Sequence, residues 1–127
     1  MEINLQQART TETIMKVLEK YPHKIEIKLD GILVDRNMTQ GQLHKLTGIR
    51  MATISEFVNG KKGSVNFIHL VSIMAALRIT DISEIISVKF DKEVEEAWKE
   101  EMVTYQGRGL TSQQQELLKE NVQAMYT

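Results

Sequence analysis

A glycine between two short helix-like segments constrains this fold more than any other feature of the sequence. Thr39-Gln-Gly-Gln42 has the spacing of a capping box, in which a threonine hydroxyl and a glutamine side chain each satisfy a backbone N–H at a helix start. The predicted helix ends at Gly48, because glycine permits the positive φ of a tight turn. A second helix is predicted from about Met51 to Val58, where Asn59-Gly60 stops it. The sequence therefore predicts two short helices joined by a tight turn.

Apolar periodicity extends this pair into a predicted helical core over residues 24–89. A helix ending near Asn37 precedes the pair, and a helix capped by Ser64 or Asn66 follows it. A fifth, short helix is predicted after Asp81. The alternating segment Ile25–Leu29 is compatible with either a short strand or an extended lead-in. The residues expected to face inward are Leu29, Ile32, Leu33, Leu43, Leu46, Ile54, Phe57, Phe67, Leu70, Val71, Met74, Leu77, Ile82, Ile85 and Ile86.

The two flanking regions are also predicted to be helical, which makes the expected fold class all-α. An N-terminal helical arm, residues 1–23, ends near Lys20 because Pro22 cannot continue a helix. A C-terminal helical pair, residues 90–127, is divided near Gly107, and Thr111 with Gln114 repeats the capping-box pattern. The predicted apolar stripes are Ile14, Val17, Leu18 and Tyr21 in the arm, then Phe90, Val94, Ala97, Trp98, Met102 and Tyr105 on a helix of about sixteen residues, then Leu117, Leu118, Val122 and Met125.

Composition argues against several classes of protein. The chain has no cysteine, so disulfides and thiolate metal sites are excluded, and its three histidines lack the spacing of metal ligands. No apolar run approaches the length of about 20 residues that a membrane helix needs. The first ten residues lack the pattern of a secretory signal, so a cytoplasmic location is expected. Because no catalytic grouping is recognisable, we expect neither an enzyme nor a bound cofactor or metal.

Charge is unevenly distributed although the net charge is only −1. Residues 24–89 carry a net charge of +3, whereas residues 90–127 carry −4. A nucleic-acid-binding surface depends on the local distribution of charge rather than on the total. The net positive charge of residues 24–89 therefore weakly favours a nucleic-acid-binding surface in this segment.

The helix after Gly48 has a polar and small outer face. Met51, Ala52, Thr53, Ser55 and Glu56 supply this face, while Ile54 is expected in the core. The major groove of DNA, about 12 Å wide, admits one helix. In a helix-turn-helix the second helix lies in that groove, and the first helix crosses above it and touches phosphates. The spacing on both sides of Gly48 suits this arrangement.

At this level of detail the chain resembles the phage-repressor helix-turn-helix family, also called Cro-like or xenobiotic-response-element proteins. The resemblance covers about Ile25 to Val88, roughly half of the chain, and implies a five-helix core like that of lambda repressor. The residues that carry it are Thr39-Gln40, Leu43, Thr47-Gly48-Ile49, Thr53-Ile54-Ser55 and Asn59-Gly60-Lys61, with Phe67, Leu70, Ile73, Ala75, Leu77 and Ile85 downstream.

The resemblance implies a transcription regulator, more often a repressor, that binds double-stranded DNA. Gln40, Asn59, Lys61 and Lys62 would hold phosphates, and Thr53 would lie near the DNA backbone. Bases would be read by Arg50, Met51, Ala52 and Glu56, on the face that also includes Ser55. Many relatives have glutamine, serine or arginine where this chain has Met51 and Ala52. The target sequence therefore does not follow from the family.

The flanking helices leave two alternatives open. Their apolar stripes either pack on the same chain or form a homodimer, for which the candidate interface residues are Trp98, Met102, Leu117, Leu118 and Val122. A second hypothesis is an antitoxin-like protein, or an interaction module, whose tail binds a partner protein. The homodimer is favoured because proteins of this family read paired half-sites about one DNA turn apart.

Overall fold

The computed structural model describes residues 5–60 and 64–127, with side chains from residue 8 onward. The elements in chain order are α1 (Leu5–Lys20), β1 (His23–Ile27), α2 (Leu29–Asp35), α3 (Gln40–Thr47), α4 (Met51–Val58), α5 (Phe67–Leu77), a 3-10 turn (Ile82–Glu84), β2 (Ile86–Phe90), α6 (Lys92–Met102) and α7 (Ser112–Tyr126). They belong to two compact units. One unit is Ile25–Lys89, and the other combines the chain up to Lys24 with Phe90–Thr127.

The unit Ile25–Lys89 is built around one apolar core. Its fully buried side chains come from α2, α3, α4, α5 and the segment after the 3-10 turn, so each of these elements contributes to the same cluster. Burial of each such side chain contributes about 1.5–3 kcal/mol. The five residues are Leu29, Leu43, Ile54, Leu77 and Ile85.

A two-stranded sheet corrects the all-α prediction. Strands β1 and β2 are antiparallel, since Lys28 N donates to Ile85 O at 2.7 Å and Asp91 N donates to Pro22 O at 2.9 Å. A strand forms where the sequence left a choice, although it begins two residues earlier than the alternating segment. The predicted fifth helix is reduced to the 3-10 turn, because the chain after it becomes extended and pairs with β1.

The inward faces of two helices differ from the prediction. Leu46, expected in the core, is 58% exposed. In α5 the buried side consists of Leu70, Ile73 and Leu77, whereas Phe67 and Val71 are 75% and 62% exposed. Ile73 lies three residues after Leu70 and four before Leu77, so the helix is rotated toward Ile73.

The second unit also uses a different face of its first helix. Thr13, Val17 and Tyr21 are buried or half-buried, whereas Ile14 and Leu18 of the predicted stripe are exposed. Helix α1 packs against α7 of the same chain.

The first tail helix is shorter than the predicted sixteen residues. Phe90 lies in β2, Asp91 is the N-cap residue, and the helix ends at Met102 before Tyr105. Phe90 instead packs edge-on against Trp98 with ring centroids 4.8 Å apart, and Trp98 lies 5.1 Å from Tyr21. Aromatic packing therefore organises this unit.

Candidate nucleic-acid interface

The start of α3 is fixed by the capping box that the sequence predicts. Thr39 Oγ1 accepts a hydrogen bond from Gln42 N at 3.0 Å, and Thr39 N donates to Gln42 Oε1 at 2.9 Å. These two bonds leave the N–H groups of Gln40 and Gly41 at the helix start, where a helix has no internal acceptor for them. Such N–H groups favour an anion, and the side chain of Gln40 lies half-buried beside them.

The turn between α3 and α4 is held by side chains as well as by its glycine. Gly48 has φ of 80° and ψ of −1°, and its N–H donates to His44 O at 2.7 Å. His44 Nδ1 donates to Ile49 O at 2.5 Å, which brings the end of α3 to the residue before the N-cap of α4. Thr47 Oγ1 accepts from Ile49 N at 3.1 Å and donates to Leu43 O at 2.8 Å. Of these four hydrogen bonds, the two that involve Ile49 tie the turn to the end of α3.

His44 was not among the residues selected from the sequence, and Thr47 was named only as part of the family resemblance. His44 was expected in a surface or packing role, and its bond to Ile49 depends on a turn geometry that residue types alone do not define. The available signal was the position of His44, four residues before the glycine that ends the helix. Because both side chains bond to the backbone of Ile49 in the turn, both act as positioning residues.

Helix α4 presents the predicted outer face to solvent. Arg50, Met51, Ala52 and Glu56 are exposed, and Ile54 on the opposite side is completely buried. Arg50 is the N-cap residue in an extended conformation, and no side chain of the described residues caps the helix there. The first turn of α4 therefore offers backbone N–H groups together with a guanidinium group.

The remaining residues of the predicted face lie at the side and end of α4. Thr53 and Ser55 are half-buried. Asn59 is exposed at the C-cap and its Nδ2 donates to Ser55 Oγ at 3.4 Å. Lys61 and Lys62, predicted to hold phosphates, lie outside the described residues.

Three of the five residues proposed for a dimer interface meet inside their own chain. Trp98, Met102 and Leu117 line a cavity of about 320 Å³ together with Tyr21. Leu118 and Val122 lie on α7 and are about half exposed. The structure therefore divides the predicted set between an open pocket, in which Met102 is still 45% exposed, and the outer side of α7.

Within residues 5–60 and 64–127, no three histidine or acidic side chains are grouped so that they could hold a metal ion. In the same ranges, no helix has the length and apolar character required to cross a membrane.

Comparison with known proteins identifies the class to which this arrangement belongs. The model of the Cro/C1-type helix-turn-helix DNA-binding domain matches residues 28–91, half of the chain, and covers α2 through β2. The chain therefore belongs to the Cro/C1-type helix-turn-helix DNA-binding family, a class of DNA-binding transcription regulators, and the resemblance found in the sequence is confirmed. No match was found among curated proteins or among solved structures.

Proposed function

We propose that this protein is a cytoplasmic repressor that binds a specific double-stranded DNA sequence as a homodimer, with α4 in the major groove. The observation that carries the proposal is the turn at Gly48. Its hydrogen bonds hold α3 and α4 so that the buried Ile54 anchors α4 while Met51, Ala52 and Glu56 face outward. A helix in this position is the element with which helix-turn-helix proteins contact bases.

Phosphate contacts would fix the register of the protein on DNA. The N–H groups at the start of α3, with the Gln40 side chain, suit one phosphate. Asn59 at the end of α4, followed by Lys61 and Lys62, suits the phosphates on the other side of the groove. Contacts of this kind position the protein without carrying sequence information.

Base contacts would come from the outer face of α4. Arg50 can pair with a guanine through two hydrogen bonds, and Glu56 can accept from a cytosine amino group. Met51 and Ala52 cannot make such paired hydrogen bonds, but they can contact thymine methyl groups. We therefore propose an operator half-site that combines thymine contacts with at least one G·C pair.

Occupancy is the proposed mechanism of regulation. Two copies would place two α4 helices in successive major grooves on one side of the DNA, about one helical turn apart. The bound pair would cover a promoter or operator and exclude polymerase. No chemical step is required of the protein in this mechanism.

The proposal is tested by titrating the purified full chain into random-sequence duplex DNA, selecting bound molecules and repeating the selection at two salt concentrations. We expect an enriched two-fold-symmetric motif and an affinity that falls steeply with salt, because bound lysine and arginine release counterions. Salt-sensitive binding without an enriched motif would contradict sequence-specific recognition. Absence of binding at low salt would contradict DNA binding altogether.

Alanine variants then separate the two kinds of contact. Gln40→Ala and Lys62→Ala should weaken binding to all sequences by similar factors, whereas Arg50→Ala and Glu56→Ala should change the preference among bases. Val34→Ala, an exposed residue of α2 outside the proposed face, is the matched control and should bind like the wild type. Equal effects of the four variants on every sequence would refute these assignments.

A further inference from the structure

The side of α5 that faces solvent is largely apolar and carries no charged residue. Phe67, Ile68 and Val71 are 75%, 77% and 62% exposed, and Ala75 is exposed one turn further along. No aspartate, glutamate, lysine or arginine occurs from Ser64 to Leu77. Because a helix with one side in water normally carries charged residues there, this surface indicates a contact with another molecule. We call the four residues Phe67, Ile68, Val71 and Ala75 the α5 face.

The α5 face lies on a well-capped helix rather than on a frayed end. Asn66 Oδ1 accepts hydrogen bonds from Ile68 N at 2.9 Å and from His69 N at 3.2 Å. The nearby Ser72 hydroxyl donates to Ile68 O at 2.8 Å. Because this hydroxyl already has a partner within the helix, burial of the α5 face would not leave the hydroxyl proton without an acceptor.

The opposite side of α5 is locked into the core of the helix-turn-helix. Leu70, Ile73 and Leu77 are buried in the same cluster as Leu43 of α3 and Ile54 of α4. A molecule that binds the α5 face therefore acquires a fixed orientation relative to α4. A dimer needs such a fixed orientation in order to hold its two α4 helices one DNA turn apart.

We propose that the α5 face binds the α5 face of a second copy of this chain across a two-fold axis. The inference rests on the proposed function, and it specifies the surface through which the dimer forms. Around a two-fold axis the same patch meets itself, so a charged residue close to the axis would lie near its own like charge. A patch without any charge is free of this repulsion.

The order of side-chain sizes along α5 also suits a second copy. Phe67, Val71 and Ala75 follow each other at intervals of four residues and form one ridge of the helix surface. Their size decreases from the start of the helix to its end. When two such helices pair in opposite directions, the large Phe67 of one copy lies against the small Ala75 of the other. The two ridges are then complementary in shape.

The exposed apolar residues of α7 fit a second copy less well. Leu118 and Val122 are about half exposed, and α7 carries Glu116, Lys119 and Glu120 around them. A two-fold contact through this side would require each charge to find an opposite charge in the other copy. The α5 face has no such requirement, and the comparison between the two surfaces defines the experiment.

The test introduces one carboxylate into the α5 face and measures the molar mass of the full chain by sedimentation equilibrium. Ile68→Glu suits this purpose because Ile68 lies in the first turn of α5, where a carboxylate interacts favourably with the helix dipole and does not unfold the helix. Val71→Glu is the second variant, and Leu118→Glu places the same charge on the exposed side of α7. Val34→Glu, at a position 69% exposed on α2, is the matched control.

We expect the wild type and Val34→Glu to be dimers. Ile68→Glu and Val71→Glu should weaken dimerisation by about 100-fold or more, because an unpaired carboxylate would be buried at the interface. Unchanged circular dichroism spectra establish that the variants remain folded. Dimers of wild-type strength in both variants, a monomeric wild type, or loss of the dimer only in Leu118→Glu would overturn the proposal.

Binding of random-sequence duplex DNA at low salt separates this inference from the proposed function. If the wild type binds DNA and the two α5 variants remain dimers, the interface is wrong and the DNA-binding function stands. If the variants become monomers and the wild type does not bind DNA, the interface stands and the function is wrong. The expected result is a wild type that binds tightly and folded monomeric variants that bind weakly.

Discussion

Gly48 offers the sharpest test of the turn that joins α3 and α4. At φ of 80° it occupies the left-handed region, which costs a residue with a Cβ atom about 1–2 kcal/mol. A Cβ atom built on Gly48 would find no heavy atom of the described chain within 4 Å, so no clash adds to this cost. The smaller conformational freedom of alanine in the unfolded chain offsets about 0.4–1 kcal/mol. Gly48→Ala should therefore lower the free energy of unfolding by about 1 kcal/mol.

Gly31→Ala is the matched control for this prediction. Gly31 lies inside α2, and a Cβ atom there also has open space, with no atom of residues 5–60 or 64–127 within 4 Å. Alanine is favoured over glycine in a helix interior by about 0.5–1 kcal/mol, so the same chemical change should stabilise the protein at this position. The two variants are thus expected to differ in sign.

Urea denaturation followed by far-ultraviolet circular dichroism measures both variants. Fluorescence of Trp98, the single tryptophan, is less suitable because this residue lies in the other compact unit. A Gly48→Ala variant as stable as Gly31→Ala would refute the reasoning, since it would mean that the turn does not require a left-handed residue. Gly48→Asn should fall between the wild type and alanine, because asparagine tolerates this conformation.

The remaining predictions concern the core, a cap and a carboxylate. Ile54→Ala should cost about 3 kcal/mol in urea denaturation because the side chain is completely buried, whereas Leu46→Ala, at an exposed position, should cost less than about 1 kcal/mol; equal losses would contradict the assigned core. Thr39→Ala should lower the free energy of unfolding by about 1 kcal/mol through loss of the cap, and Thr39→Ser should restore most of it. Hydrogen bonds from the backbone N–H and the hydroxyl of Ser83 hold the pKa of Asp81 below its ordinary value, so its stabilising effect is present at neutral pH and is lost as the pH falls through the folded-state pKa. Thermal denaturation should accordingly show that Asp81→Ala lowers Tm more at neutral pH than in strong acid.

Several elements could be predicted from the sequence because their causes are local. The capping boxes at Thr39 and Thr111 and the glycine turn at Gly48 each depend on residues no more than four positions apart. The limits of α4 follow from the same kind of signal, and the structure places them at Met51 and Val58 as expected. Since these features define the helix-turn-helix, its family was also recognisable without coordinates.

Other elements could not be predicted because their partners are distant in the chain. Strand β1 pairs with β2 about sixty residues later, and this pairing holds Phe90 in a strand although its periodicity fits the following helix. His44 bonds Ile49 only five residues later, but across a turn whose geometry residue types alone do not define. The intrinsic preference of these residues for one secondary structure is weak compared with the hydrogen bonds and packing that the folded chain supplies.

The sequence by itself thus determined where α3 and α4 begin and end, since caps and turns act within a few residues. Only the tertiary structure decided which side of α5 enters the core. Leu70, Ile73 and Leu77 pack there, and Phe67 and Val71 remain in solvent, although all five are apolar. Periodicity shows that a helix has apolar positions, but the shape of the surrounding core selects which of them are buried.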